Sequence, residues 1–153
     1  MPRGSRKAVR PRSVARKRVG GFRAFLSSGA AAAEKIEVIR QGVRARIVDD
    51  MVDYLDVPKS VIFGVLQTPE STAHKLIKDN RMLDSAASER VVRVADITRM
   101  AEETFGGREA AARWLKTPNL SLRREMPLSL LDTELGAGEV RRVLSAIDYG
   151  GTL

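Results

Sequence analysis

The sequence has no cysteine, a single histidine and few aromatic residues. Without cysteine there are no disulfides and no thiolate metal sites, a composition typical of a reducing compartment, so we expect a cytoplasmic protein. One Trp, two Tyr and four Phe in 153 residues predict a mainly aliphatic core. No apolar run approaches the roughly 20 residues that span a bilayer, and no signal-peptide core follows the basic N-terminus. We therefore expect no membrane association.

Groups that could support catalysis are also scarce. One histidine and no cysteine leave no histidine cluster and no thiol nucleophile, and no glycine-rich phosphate loop joins a strand to a helix. Asp49-Asp50 and Glu102-Glu103 are adjacent pairs whose side chains diverge on a helix, so we interpret them as solvated faces rather than acid–base dyads. His74 has no second ligand at a metal-binding spacing. The sequence predicts no enzyme, no metal site and no cofactor.

Positive charge is concentrated at one end of the chain. The net charge is +8, and residues 1–23 contain nine of the 27 basic side chains but none of the 19 acidic ones. Proline and glycine among these charges predict that residues 1–21 form a basic arm that is disordered when free. Such an arm suits a phosphate backbone, although a solvated tail without a partner is the alternative. The basic residues are Arg3, Arg6, Lys7, Arg10, Arg12, Arg16, Lys17, Arg18 and Arg23.

Apolar residues recur at helical spacing along the rest of the chain, and sustained two-residue alternation is absent, which predicts an all-α fold without strands. Capping and breaking residues divide this pattern into segments. We expect ordered structure to begin near Phe22. The predicted helices lie near 29–41, 43–55, 58–66, 68–80, 86–104, 108–115, 127–131 and 135–147.

Residues 58–80 have the dimensions of a helix-turn-helix. Pro58 fits the first turn of one helix, Thr68 is a candidate N-cap of the next, and Pro69 suits its first turn. In such units the N-terminal end of the second helix meets base edges in the major groove. A capped helical hairpin without DNA-binding activity would look the same. The candidate DNA-binding residues are Thr68, Glu70, Ser71, Thr72, Lys75 and Lys78, with His74 on or near the same face.

Three blocks distinguish the C-terminal third, namely FGGREAAARWLKTPN at 105–119, MPLSLLDTELG at 126–136 and IDYG at 147–150. Trp114 and Leu115 are expected to anchor a helix in the core, and Asp132 or Thr133 to cap the last helix. Tyr149, followed by glycines, can reach into the cleft of a partner because tyrosine buries a large area at low entropic cost. A frayed tail is the alternative interpretation.

These blocks resemble the C-terminal domain of the Xre/MbcA/ParS-type antitoxins, which are encoded beside RES-domain toxins. The resemblance covers about 43–150, including SERVVR at 88–93, and leaves out the basic arm. It implies a helical region with an Xre-like helix-turn-helix at 22–104, followed by a small helical toxin-binding domain at 105–153. Family members neutralise an NAD-depleting RES toxin by direct binding, with their C-terminal part blocking its NAD cleft.

The resemblance also implies operator binding, often as a dimer within a larger toxin–antitoxin assembly. We expect autorepression, with the helix near 29–41 as a candidate dimer surface. The alternative is a stand-alone helix-turn-helix regulator without a toxin. Carried onto this chain, the toxin-binding positions are Arg141, Arg142, Asp148, Tyr149, Gly150 and Leu153.

Two departures from the family pattern concern turns. Arg123-Arg124-Glu125 stands where the family often has glycines before the Pro-Leu segment, and Gln67 stands where many members have a turn glycine. The resemblance therefore does not imply the usual geometry of the family at these two turns.

Overall fold

The computed structural model describes residues 21–27 and 29–150, and these form an all-α fold, as predicted. Within these residues, strand pairing is limited to two isolated bridges, Arg44 with Met82 and Asn119 with Glu125. No helix among them is long and apolar enough to cross a membrane. The helices are α1 (Phe22–Ser27), α2 (Ala32–Gln41), α3 (Ile47–Leu55), α4 (Lys59–Leu66), α5 (Glu70–Lys78), α6 (Ser85–Phe105), α7 (Arg108–Leu115) and α8 (Glu134–Asp148), with 3-10 turns at Leu120–Leu122 and Pro127–Asp132.

The long helix α6 organises the fold. It packs against α1, α2, α4, α7, α8 and the 3-10 turn at Pro127–Asp132. The Asp84 carboxylate caps its start by accepting a hydrogen bond from the Ala87 amide at 2.8 Å, and Gly106 ends it in the left-handed region. Residues 91–95 are all buried, so most of the circumference of α6 is covered in its middle. A helix buried on several sides is expected of a central element.

One hydrophobic core joins the two halves of the sequence. It extends from Phe22 to Leu144 and is mainly aliphatic, as the composition predicts. Leu115 is fully buried, in agreement with its predicted anchoring role. Trp114 is only half-buried, because it lies at the edge of the core with its ring 5.4 Å from that of Phe105.

The N-terminal part of the fold differs from the prediction in two places. Helix α1 was not predicted, since it is only six residues long and is held by burial of Phe22 and Leu26. Residues 43–46 precede α3 instead of belonging to it. The Val43 amide donates to the Ser88 hydroxyl at 2.9 Å, and the Leu83 amide donates to the Val43 carbonyl at 2.8 Å. These partners are distant in sequence, so helical periodicity does not reveal them.

Each of the two prolines in the helix-turn-helix immediately precedes its helix, whereas the sequence predicted it in the first turn. Pro58 and Pro69 are the N-caps of α4 and α5, each with an extended ψ, and Glu70 is the first residue of α5. The predicted capping role of Thr68 is wrong, because its hydroxyl donates back to the Leu66 carbonyl at 3.4 Å. Proline is well suited to these junctions since it fixes φ and supplies no amide hydrogen.

The turn at 123–126 adopts a backbone that suits glycine. Arg123 and Arg124 both have positive φ, 56° and 64°. The left-handed region is costly for residues with a Cβ. The turn thus has a backbone that glycine adopts readily, reached here with arginine.

Replacing Arg124, an exposed residue, by glycine is therefore expected to stabilise the fold. We expect Arg124→Gly to raise the free energy of unfolding by about 0.5–1 kcal/mol, because relief of the left-handed strain exceeds the entropy that glycine adds to the unfolded chain. Urea denaturation measures the change. Arg124→Ala is the matched control, since it removes the same charge but keeps the Cβ. An equal gain from both variants would contradict the backbone explanation.

Candidate functional site

The helix-turn-helix is formed by α4, a three-residue turn and α5. Gln67 occupies the left-handed region with φ 53°, and its amide donates to the Gly64 carbonyl at 3.1 Å. The Gln67 side-chain oxygen accepts a hydrogen bond from Arg90 at 3.1 Å. The turn thus closes without the family's glycine, and its side chain is held by α6.

Helix α5 presents most of the predicted DNA-binding residues on one exposed surface. Ala73 is the buried residue of α5. The His74 ring lies edge-on to the Phe63 ring at a centroid distance of 5.1 Å. Thr68 lies in the turn and is half-buried, apart from the others. The exposed candidates are Glu70, Ser71, Thr72, Lys75 and Lys78.

A second basic segment lies beside the C-terminal end of α5, and sequence reasoning missed it. Arg44 donates to the Asn80 carbonyl at 3.2 Å, and a cavity of about 930 Å³ is lined by both residues together with Arg46 and Lys78. The signal was present in the sequence, because Arg44 and Arg46 alternate with the buried residues Val43 and Ala45. Arg44 and Arg46 therefore add positive charge beside α5, in a cavity that Asp49 and Asp50 also line.

Helix α8 is the central element of the C-terminal region. The Thr133 hydroxyl accepts a hydrogen bond from the Gly136 amide at 3.0 Å, so the predicted cap is confirmed at Thr133 rather than Asp132. Asp132 instead ends the preceding 3-10 turn. The buried side of α8 faces α6 and the 3-10 turns. It consists of Ala137, Val140, Val143 and Leu144.

A buried arginine of α6 holds the start of α8. The Arg93 side chain is 7% exposed, and it donates to the Leu131 carbonyl at 3.0 Å, to Glu134 at 3.1 Å and to Glu89 at 2.7 Å. Arg141 adds an ion pair of 2.6 Å to Glu134. The hydrogen bond from Arg141 and the positive charges of both arginines lower the pKa of Glu134, against the opposing effect of burial. Arg141, predicted to bind a toxin, thus has a structural partner within the chain.

Arg90 connects the helix-turn-helix with the same region. Its guanidinium donates to the Asp132 carbonyl at 3.1 Å, to the Leu66 carbonyl at 3.4 Å and to the Gln67 side chain. One side chain therefore bridges the end of α4, the turn before α5 and the residue that precedes the cap of α8. The predicted DNA-binding and toxin-binding elements are attached to the same helix.

A third arginine fixes α7 to α3. Arg108 donates to the backbone carbonyls of Asp53 and Tyr54 at 2.7 and 3.0 Å and lies 4.5 Å from the centre of the Tyr54 ring. The Tyr54 hydroxyl donates to Glu102. Burial, followed by this hydrogen bond, raises the pKa of Tyr54 to about 12. Arg108, the arginine of the FGGR sequence at 105–108, therefore has a structural role in packing α7 against α3.

Of the other predicted toxin-binding residues, Arg142 lies in the second half of α8, and Asp148, Tyr149 and Gly150 lie at its C-terminal end. Arg142 is exposed and pairs with Glu139 at 2.8 Å, which lowers the pKa of Glu139. Asp148, Tyr149 and Gly150 are exposed, and Tyr149 is 89% accessible. Leu153 and the basic arm up to residue 20 lie outside the described residues.

Comparison with known families assigns both halves of the fold. Residues 34–96 match the model of the antitoxin Xre-like helix-turn-helix domain, and residues 100–150 match that of the antitoxin Xre/MbcA/ParS C-terminal toxin-binding domain. The second match contains α7 and α8, and the first contains α4 and α5.

Curated relatives cover most of the chain. The Prs ADP-ribosylating antitoxin of Sphingobium sp. (strain YBL2) is 32% identical over 126 residues, covering 76% of this chain and 79% of the relative. Antitoxin Xre of Yersinia enterocolitica is 27% identical over 116 residues, covering 75% and 78%. Antitoxin Xre of Photorhabdus laumondii is 25% identical over 114 residues, covering 74% and 77%.

Fold and matches together define a helix-turn-helix protein with a toxin-binding domain, that is, a toxin-neutralising antitoxin. The chain belongs to the Xre/MbcA/ParS family of antitoxins. The resemblance drawn from the sequence blocks is thereby confirmed.

The buried Arg93 network is expected to contribute strongly to stability. Arg93→Met leaves the Leu131 carbonyl without its charged donor, so we expect a loss of about 2–3 kcal/mol in the free energy of unfolding. Arg99→Met is the matched control on the same helix, because the half-exposed Arg99 meets Glu103 only at 4.0 Å. That change should cost less than about 0.5 kcal/mol. Equal losses in urea denaturation would contradict a special role for Arg93.

Proposed function

We propose that the toxin partner is an NAD-consuming RES-domain protein and that the C-terminal end of this antitoxin blocks its NAD cleft. The blocks at 105–119, 126–136 and 147–150 resemble those of antitoxins paired with RES toxins. A relative 32% identical carries the name Prs ADP-ribosylating antitoxin, and ADP-ribosylation draws its ADP-ribose from NAD. Both point to an NAD-dependent toxin.

The observation that carries this proposal is the exposed end of α8. Tyr149 directly follows a well-packed helix and buries almost none of its side chain within the chain. A large aromatic side chain on a firmly held helix can enter a cleft with little further loss of conformational freedom. The proposed tail also contains Asp148, Gly150 and Leu153. Arg142 lies on the preceding part of α8 and is included in the proposed toxin-binding site.

We further propose that the antitoxin binds its own operator and represses its operon. Exposed Ser71 and Thr72 can contact bases or phosphate, while Lys75 and Lys78 neutralise phosphate. Arg44 and Arg46 extend this surface, and the arm at 1–21 adds phosphate contacts. Dimerisation is part of the proposal, since palindromic half-sites require two-fold symmetry, and α2 is the candidate surface.

Residues 22–104 would then carry DNA binding and residues 105–153 toxin binding, in a non-enzymatic cytoplasmic protein. The two functions would share one hydrophobic core. The competing function, a helix-turn-helix regulator without a toxin, predicts DNA binding alone.

Co-expression with the product of the adjacent gene separates these functions. We expect that product to be toxic alone, to deplete cellular NAD, and to become harmless and co-purify when this chain is present. A neighbouring protein that remains toxic and unbound would exclude neutralisation of that protein and favour the stand-alone regulator.

Charge reversal on α5 should separate DNA binding from neutralisation. Lys75→Glu and Lys78→Glu each replace a proposed phosphate attraction by repulsion, so we expect operator affinity to fall about tenfold or more while toxin neutralisation is unchanged. Electrophoretic mobility shift at fixed salt and a growth assay measure the two activities. Arg99→Glu on α6 controls for net charge. Loss of DNA binding in the control to the same extent would assign the effect to overall charge.

Truncating the exposed side chain of Tyr149 should have the opposite effect, weakening toxin binding while leaving DNA binding unchanged. Tyr149→Ala is expected to weaken toxin binding about 30-fold, as removal of a central aromatic anchor does, without changing operator affinity or thermal stability. Leu120→Ala is the control, since Leu120 is also 80% exposed but lies in a 3-10 turn outside α8. Calorimetric titration with toxin measures the affinities. Unchanged affinity of Tyr149→Ala would remove Tyr149 from the interface.

A further inference from the structure

The side of α8 opposite the core carries residues at alternating spacings of three and four. A spacing of this kind keeps residues along one face of a helix. Their neighbours Ala137, Val140 and Leu144 point into the core, so this set points outward. We call it the outer face of α8, and it consists of Leu135, Gly138, Arg142, Ser145 and Tyr149.

Two glycines of α8 differ in what they contribute to the fold. A Cβ on Gly136 would lie 1.9 Å from the Leu130 carbonyl oxygen, so internal packing requires glycine there. A Cβ on Gly138 would meet nothing within 4 Å. Glycine inside a helix is less favourable than alanine because it loses more backbone entropy on folding. The described residues therefore provide no internal packing reason for glycine at 138.

Large apolar side chains on the same face are left in solvent. Leu135 is 87% exposed and Tyr149 is 89% exposed, one at each end of α8. Single exposed apolar residues are common. Here the two lie on one helix face, and Gly138 between them leaves the backbone exposed.

We propose that the outer face of α8 is the surface on which the toxin packs, with the toxin backbone approaching most closely at Gly138. This inference rests on the proposed function and adds a contact surface along the helix to the tail that enters the cleft. Its place within the matched toxin-binding domain, residues 100–150, supports the toxin as the occupant. Arg141 lies outside this surface because it is about 100° around the helix from Arg142, and there it pairs with Glu134.

The residues of the outer face indicate which toxin residues would be complementary to it. Apolar toxin residues cover Leu135 and Tyr149, and the chain segment between them is narrow enough to sit against Gly138. Arg142 needs only to exchange its exposed ion pair with Glu139 for a toxin carboxylate. The Arg142 side chain is 64% exposed, so its guanidinium is accessible to such a carboxylate.

Gly138→Ala tests the surface because stability and binding should change in opposite senses. The added methyl group favours the helix, so we expect the melting temperature of the full-length antitoxin to rise by about 2–4 °C. It also occupies the space of the toxin backbone, so we expect toxin affinity to fall about tenfold. Gly138→Leu should reduce affinity by about 100-fold or more. The probe is the purified adjacent-gene toxin, titrated by calorimetry.

Gly64→Ala provides a matched control. Gly64 is an exposed glycine inside α4, and a Cβ there also meets nothing within 4 Å. We expect a similar rise in melting temperature with unchanged toxin affinity.

Wild-type affinity in Gly138→Ala and Gly138→Leu would overturn the surface while leaving the proposed function intact. Variants that change self-association of the antitoxin but not toxin affinity would also overturn it, since a second copy would then be the occupant. A wild-type protein that does not bind the toxin would overturn both proposals.

Discussion

A guanidinium buried in the middle of α6 holds the start of α8, the last helix of the matched toxin-binding domain. Arg93 donates to the Leu131 carbonyl, near the end of the 3-10 turn, and to Glu134, the first residue of α8. Isolated buried charges are costly, but here the donors meet one backbone carbonyl and two carboxylates that remain partly in water. Because Glu134 also pairs with Arg141, the first two turns of α8 are clamped from both sides. The outer face of α8 is therefore held in a fixed orientation in the unbound protein.

The same helix also carries the helix-turn-helix. Arg90 lies one turn before Arg93 and donates to the end of α4, to Gln67 and to Asp132. Two arginines on one helix thus tie the turn before α5 and the start of α8 to a common support. The hydrophobic core continues across both regions, so the proposed DNA-binding and toxin-binding surfaces belong to one packed body. This arrangement explains why the motif SERVVR at 88–93 contains two arginines next to buried valines.

The all-α class, most helices and the family were accessible from the sequence, because helical periodicity and the C-terminal blocks are local signals. What escaped prediction depends on contacts between distant residues. Helix α1 exists through the burial of Phe22. Val43 pairs with Leu83 and Ser88, and the Ala45 amide donates to the Arg81 carbonyl. The pairing of Arg141 with Glu134 was not predicted, because it depends on how α8 begins. The special role of Arg93 could have been suspected from an arginine within the apolar run 91–95. The left-handed backbone at Arg123 and Arg124 also escaped prediction, because arginine rarely adopts it.

The central claim is that the toxin binds through α8. Its most direct test is hydrogen–deuterium exchange of the antitoxin, measured alone and with saturating toxin. Binding through α8 predicts slower exchange of backbone amides at 134–150 on adding toxin, with exchange at 70–78 on α5 unchanged. Slower exchange at 70–78 with no change at 134–150 would contradict the assignment of toxin binding to α8.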